Sequence, residues 1–251
     1  MSYVIAVAGK GGTGKTTTSA LIVRHLLKRN KIPILAVDAD PNSNLAESLG
    51  IEIEESIGSV LASFLRDRGS VPQGMTRQSF LDLKLHQILQ EGKDVDVLVM
   101  GCPEGPGCYC SANAILKGYF ENLINNYNYI VFDNEAGMEH FSRKTNANID
   151  LLLLCSNYSL KGLRTAKRLS NLVDDLKLEV KERYLLINRT PEKLDEDFND
   201  EIRKIDLPYL GNVISDKIIE DSEIRGIPIT ELKDDSIAVQ CIDKILEKVK
   251  I

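Results

Sequence analysis

Nine residues near the amino terminus constrain the fold more than any other feature. Gly9-Lys10-Gly11-Gly12-Thr13-Gly14-Lys15-Thr16-Thr17 stands directly behind the apolar, β-branched run Tyr3 to Ala8. The pattern GxxxxGK[ST], with a strand before it and a helix after it, is that of a phosphate-binding loop. Its glycines let backbone N–H groups turn inward onto phosphate oxygens at a helix N-terminus, where the dipole also favours an anion. Gly11, Gly12, Thr13 and Gly14 therefore read as the cradle, and Lys15 as the cation for the β- and γ-phosphates. The Thr16 hydroxyl reads as a ligand of Mg²⁺, and Thr17 as the contact to the α-phosphate. The same residues also satisfy GxGxxG, with Asp38 closing the second apolar run where an acid for a dinucleotide ribose would sit. Lys15-Thr16 has no role with a dinucleotide, however. A second acidic strand end, Val131-Phe132-Asp133, suits the water shell of Mg²⁺. Both features favour a nucleoside triphosphate.

The rest of the chain keeps the rhythm that this start sets. Short β-branched runs alternate with longer amphipathic segments, which predicts an α/β fold with a mostly parallel, doubly wound sheet flanked by helices. Strands are expected at Tyr3 to Ala8, Ile34 to Asp38, Val95 to Met100, Tyr129 to Asp133, Leu151 to Cys155, Arg183 to Asn188 and Leu207 to Val213. Most are continuous apolar runs, as strands buried on both faces require. Helices are expected at Lys15 to Arg29, Ser111 to Asn125, Leu160 to Leu176 and Ser236 to Val249, from three- and four-residue apolar spacing. Gln73 to Glu91 divides into strand plus helix or forms one helix, and periodicity does not choose. With no repeat or linker, the 251 residues read as one domain spanning 1–251.

Composition narrows the partners. Lys and Arg number 31 against 37 Asp and Glu, so a general nucleic-acid binder held by phosphate contacts is disfavoured. No uninterrupted apolar stretch reaches the length that spans a bilayer, and no basic n-region or cleavage site is read at the first strand, so a cytoplasmic location is expected. The five cysteines are too few and too uneven for a disulfide framework. Three of them, Cys102, Cys108 and Cys110, cluster in Val99-Met100-Gly101-Cys102-Pro103-Glu104-Gly105-Pro106-Gly107-Cys108-Tyr109-Cys110, between a strand and a helix. Thiolates at a helix start are good ligands or redox groups. Two cysteines cannot close a four-coordinate site alone and need Cys102, solvent or another chain; a two-fold dimer that apposes two such loops would make a Cys₄ site from Cys108 and Cys110 of each, suited to tetrahedral Zn²⁺ or squarer Ni²⁺. Cys155 and Cys241 lie in apolar stretches and read as core. His25 and His86 read as structural, and His140 is not expected to be a ligand.

With Lys10 added, the loop KGGxGKT resembles the deviant Walker A family of MinD, ParA and nitrogenase iron protein type. The resemblance implies that Lys10 crosses a nucleotide-sandwich dimer to the partner's phosphates, supplying charge in trans; taken alone it would be a solvated lysine. Val37-Asp38-Ala39-Asp40-Pro41-Asn42-Ser43-Asn44 looks like switch I of that family, in which the residue at the position of Asp40 is needed for hydrolysis. Carboxylates placed at such strand ends can order an attacking water and the metal shell, so Asp40 and Asp133 join Thr16 as the Mg²⁺ group. Asp38 belongs to this switch or simply caps a turn. Asp133-Asn134-Glu135-Ala136-Gly137-Met138-Glu139 resembles switch II, with Glu135 in the moving segment and the Gly137 backbone facing the γ-phosphate. Family members hold adenine through an Asn after a late strand, and Leu185-Leu186-Ile187-Asn188-Arg189 matches, as does Gly211-Asn212-Val213-Ile214-Ser215-Asp216 one strand later. This makes Asn188 and Arg189 candidate nucleotide residues, with a turn-forming Asn the plain alternative.

Gly107-Cys108-Tyr109-Cys110 and the switch ending at His140 resemble, more narrowly, the CooC-type ATPases that assist nickel insertion into carbon monoxide dehydrogenase. That likeness implies a homodimer formed with ATP and metal. Ni²⁺ or Zn²⁺ would be held by Cys108 and Cys110, with carbon monoxide dehydrogenase or another nickel enzyme as client. An iron-sulfur carrier is the nearer alternative, but nitrogenase-type proteins place a second cysteine in switch II, and Asp133 to Arg143 contains none. A regulatory ATPase of MinD or ParA kind, acting on membrane or DNA, is the other. The tail Ile237 to Ile251 is amphipathic, but its polar face mixes acids with lysines, which suits packing on the sheet better than a membrane. No nucleic-acid or membrane partner is therefore expected.

Overall fold

The computed structural model describes residues 2–40, 43–66, 71–101, 110–135 and 148–251. Among the described residues seven strands form one sheet: β1 (Tyr3–Gly9), β2 (Ile34–Asp38), β3 (Val95–Val99), β4 (Tyr129–Asp133), β5 (Ile149–Asn157), β6 (Val180–Thr190) and β7 (Tyr209–Ile214). Their order is β3-β2-β4-β1-β5-β6-β7, and every neighbouring pair is parallel. The expected doubly wound α/β architecture is the one observed. Strands β5 and β6 run longer than their apolar runs suggest, and the last strand starts two residues later than expected.

Among the described residues the α-helices are α1 (Lys15–Lys28), α2 (Asn44–Leu49), α3 (Ile57–Arg66), α4 (Arg77–Gln87), α5 (Cys110–Ile124), α6 (Leu160–Asp175), α7 (Glu196–Lys204), α8 (Lys217–Arg225) and α9 (Ile237–Lys248). The ambiguous segment from Gln73 contains one helix, α4, started by the Thr76 side chain accepting from the Ser79 amide. Four of these, α2, α3, α7 and α8, go beyond the sequence expectation. In α7 only Phe198 and Ile202 are buried, one turn apart, and the rest of its surface is charged apart from Asn199; so narrow a stripe gives little periodic signal.

Side chains alternate between two cores, as strand geometry requires. Val4, Ala6 and Ala8 of β1 join the layer under α3 to α7, while Ile5 and Val7 join the layer under α1, α2, α8 and α9. β5 is buried at every position from Ile149 to Ser156; each fully buried Leu in such a strand contributes roughly 1.5–3 kcal/mol over exposure. α9 buries Ala238, Val239, Ile242, Ile245 and Leu246, so the amphipathic tail packs on the sheet. Among the described residues no helix is long and apolar enough to cross a membrane.

The chain winds outward from β1 to β2 and β3, returns to place β4 between β2 and β1, and then continues on the other side through β5. At such a switch point the crossover connections leave a crevice beyond the carboxyl ends of the strands. Gly9, Asp38, Asp133 and Asn188 all end up at that rim.

Candidate nucleotide site

The phosphate loop is shaped by backbone that only glycine adopts cheaply. Gly12 and Gly14 have φ of 76° and 77°, in the left-handed region. At Gly9 the constraint is space, since a Cβ there would come within 2.4 Å of the Cys155 carbonyl oxygen on β5. The loop closes on itself through Thr13, whose amide and hydroxyl both donate to the Lys10 carbonyl, at 3.2 and 2.7 Å. α1 then starts with its N–H groups facing the crevice, and Lys10 is exposed at the mouth.

Two carboxylates line the floor. β2 and β4 are in register so that Asp38 pairs with Asp133. The Thr16 hydroxyl donates to Asp133 at 2.6 Å, and the Ser19 hydroxyl to its other oxygen at 3.3 Å. Burial pushes the Asp133 carboxyl up to about 7, and the Asp38 charge adds to this; the two hydroxyls and Lys15 act against it. Asp38 is pushed up to about 6 by burial, against the pull of two backbone amides. Those amides belong to Asp40 and Leu45, at 3.1 and 2.8 Å, so Asp38 staples the turn after β2 and the start of α2. The turn-capping alternative is thus the geometry found for Asp38. Lys15 is buried and lies 4.0 Å from the Asp40 carboxylate. Beneath the loop, burial pushes the Cys155 thiol up to about 12, which makes it a core residue without nucleophilic character at neutral pH.

A separate cleft opens beside the loop, lined among others by Gly14, Thr17, Asn188, Arg189, Ser215 and Asp216. The Asn188 amide NH₂ is committed to the loop, donating to the Thr13 carbonyl at 2.8 Å and the Thr18 hydroxyl at 3.0 Å. Its Oδ1 is buried and has no partner among the described residues. An orphaned acceptor of this kind carries a desolvation penalty that a bound donor removes. Arg189 is exposed with φ of 55°, where β6 and β7 slip register. The bulge turns its side chain out of the ladder at the cleft. Thr17 differs from expectation in its present partner: its hydroxyl donates to Glu223 of α8 at 3.1 Å.

Sequence reasoning passed over Ser19, Glu223 and Asn134. Ser19 was legible in principle, being three residues after Thr16 and so on the same helix face. Asn134, whose NH₂ donates to the Val7 carbonyl at 3.3 Å, stands next to Asp133 in the second switch motif, while Glu223 comes from elsewhere in the chain and had no local signature.

Residues 4–229 match the family model for the CobQ/CobB/MinD/ParA nucleotide binding domain. The chain belongs to this family. It is a nucleotide-binding P-loop ATPase of the MinD/ParA kind. It is 38% identical over 248 residues to an uncharacterized ATP-binding protein of Methanocaldococcus jannaschii, covering 98% of both chains. It is 28% identical over 240 residues to the carbon monoxide dehydrogenase accessory protein CooC of Rhodospirillum rubrum, covering 91% of this chain and 89% of that one. The septum site-determining protein MinD of Pyrococcus horikoshii, solved with Mg-ADP, superposes with a TM-score of 0.71 at 22% identity, over 100% of this chain and 96% of that one; that likeness concerns the fold.

Within the family match, Cys108 and Gly137 lie outside the described residues, as does the Cys110 side chain, and so do His140 and Cys102. Among the described residues no group of three or more His, Cys, Asp or Glu is arranged to hold a metal ion. His25 is buried, its ring nitrogens 2.5 Å from Asp243 and 3.1 Å from the Ile251 carbonyl. His86 stands edge-on to Tyr119.

Proposed function

We propose that this ATPase is a metal carrier for enzyme maturation. Two protomers close with ATP and hold Ni²⁺ or Zn²⁺ between the Cys108 and Cys110 thiolates of each. Hydrolysis hands the ion to carbon monoxide dehydrogenase or another nickel enzyme. The observation that carries the reading is the likeness to CooC along nine-tenths of the chain, in a sequence that holds Cys108-Tyr109-Cys110. Four soft thiolates are the right donors for either ion.

The nucleotide end of the reading rests on the loop and the cleft beside it. The unpartnered Asn188 Oδ1 suits the 6-amino donor of adenine and would face the 6-oxo acceptor of guanine unfavourably, which favours ATP over GTP. Arg189 then borders the base or its ribose. Gly11 to Gly14 present amides to the β-phosphate, Thr17 serves the α-phosphate, and Lys15 exchanges Asp40 for phosphate oxygens.

Thr16 and Asp133, already paired, together with Asp40 are the residues suited to Mg²⁺, which when bound supplies neutralising charge at the phosphates. A hydroxyl and two carboxylates are the oxygen donors that ion prefers. Once Lys15 has turned to phosphate, Asp40 accepts a hydrogen bond from the attacking water, and Lys10 crosses to the partner's phosphates. Asp38 holds the first switch through Asp40 and Leu45. Glu135 and Gly137 belong to the second switch, which carries the state of the phosphates toward the dimer face.

The test is nickel-dependent activation of nickel-free carbon monoxide dehydrogenase with this protein, ATP and limiting Ni²⁺. Wild-type protein should accelerate activation, while Lys15→Ala and a Cys108→Ser/Cys110→Ser variant should not. Equal activation with and without the protein would reject the carrier role and favour a regulatory ATPase acting on membrane or DNA.

A further inference from the structure

We propose that Glu223 is a built-in competitor for the nucleotide: a positioning residue whose carboxylate accepts the Thr17 hydroxyl in place of the α-phosphate and hastens release of ADP. The inference rests on the reading above that Thr17 serves the α-phosphate.

The start of α1 is where an anion is most favoured, since its first N–H groups are unpaired within the helix and the dipole is positive there. The helix itself supplies none. Its N-cap is Gly14, which has no side chain to cap with, and its first turn contains no acid. An anion comes instead from another element, for Glu223 of α8 accepts the Thr17 hydroxyl at 3.1 Å across 206 residues of sequence. Thr17 and Glu223 line both the cleft beside Asn188 and a neighbouring cleft bounded by Asn44, Glu47 and Ile227. The carboxylate therefore sits on the wall between them, at the edge of the phosphate loop.

The placement of Glu223 is not that of a loosely swinging surface acid. The start of α8 is fixed by Asp216, which accepts the Ile218 amide at 2.9 Å and also the Ser236 hydroxyl and Ala238 amide at the start of α9, at 2.6 and 3.0 Å. Ile219 and Ser222 bury the inner face of α8. Glu223 is carried on that rigid helix, toward Thr17.

A bound α-phosphate claims the same hydroxyl and the same positive helix end. It then meets a carboxylate, with Glu220 and Asp216 also lining the cleft and Arg189 the cation there. The Thr17 hydroxyl must turn from Glu223 to phosphate, and the repulsion that remains raises the dissociation rate. Because Glu223 is exposed, screening keeps the effect modest.

The experiment measures fluorescent ADP binding and displacement by stopped flow for wild type, Glu223→Gln, Thr17→Val and the double variant. Glu223→Gln keeps the size and hydrogen-bonding ability but removes the charge. It should bind ADP about three-fold more tightly, the size of a single charge at a helix end, with most of the change in dissociation. The gain should shrink in about 0.5 M salt, where charges separated by more than a few ångströms are screened. It should also fall in the Thr17→Val background, where no hydroxyl remains to compete for. Unchanged ADP dissociation in Glu223→Gln, or the same gain with and without the Thr17 hydroxyl, would overturn the proposal. If Thr17→Val leaves ADP affinity untouched when added to Glu223→Gln, the α-phosphate role of Thr17 is removed, and the proposal with it.

Discussion

Asp133 is a buried carboxylate beside a second one, Asp38. Burial has lifted its carboxyl to about 7 and that of Asp38 to about 6, against ordinary values near 3.8 for both. The folded chain thus binds more protons than the unfolded one between about pH 4 and 7, so stability from this pair is greatest at the acid end and is lost as pH rises through 6 to 7. Nucleotide-free wild type should melt at a higher temperature at pH 5 than at pH 7.5. The difference should be smaller in Asp133→Asn, whose amide does not titrate; an equal difference in both proteins would contradict the burial argument. At Asn188 the NH₂ holds Thr13 and Thr18, and on the proposed reading the unpartnered oxygen serves the base. Asn188→Ala should cost about 1–3 kcal/mol of stability through the unpaired loop carbonyl, read by urea unfolding. It should also reduce the preference for ATP over GTP in a competition assay. Retained preference would place base recognition elsewhere in the cleft.

Among the elements, α8 and α9 share a single origin. The Asp216 side chain accepts from the starts of both helices, and although burial opposes it, the hydrogen bonds from Ser236, Ala238 and Ile218 hold its carboxyl below the usual carboxylate range. Since one helix cap is worth about 1 kcal/mol, Asp216→Ala should lower stability by about 2 kcal/mol in urea unfolding; a loss within about 0.5 kcal/mol of zero, the usual surface value, would contradict this shared role. The elements also show what the chain discloses before folding. The strands were legible because runs such as Leu151-Leu152-Leu153-Leu154 leave no face for water, and the loop because its spacing is chemistry rather than propensity. α7 and α8 were not, since each buries only two residues, and a two-residue stripe has no period to read. Thr17 with Glu223 and Asp38 with Leu45 were hidden for another reason: backbone amides and distant partners, which the tertiary fold alone brings together, decide where these side chains point.

At the scale of the molecule, the switch point of the sheet gathers Gly9, Asp38, Asp133 and Asn188 on one rim, with α1 aimed at it. The cysteine segment follows β3, on the same parallel sheet as β1, and so leaves from the same carboxyl edge as the phosphate loop. On the proposed reading, a face-to-face dimer that closes over nucleotide on that edge would also bring two cysteine segments toward each other and so link the nucleotide and metal sites. Linkage is reciprocal: if ATP raises the affinity for the ion through the closed dimer, the ion raises the affinity for ATP by the same factor. Lys15→Ala should abolish ATP hydrolysis and reduce metal-dependent dimer formation only where nucleotide is present.

The most direct measurement is a Ni²⁺ titration of the reduced protein, with molar mass followed by light scattering at each addition, beside the Cys108→Ser/Cys110→Ser variant. Four thiolates from two chains predict saturation at about one ion per two chains, with mass doubling in wild type and not in the variant. Binding and dimerisation that persist in the variant, or no binding by wild type, would contradict the carrier account.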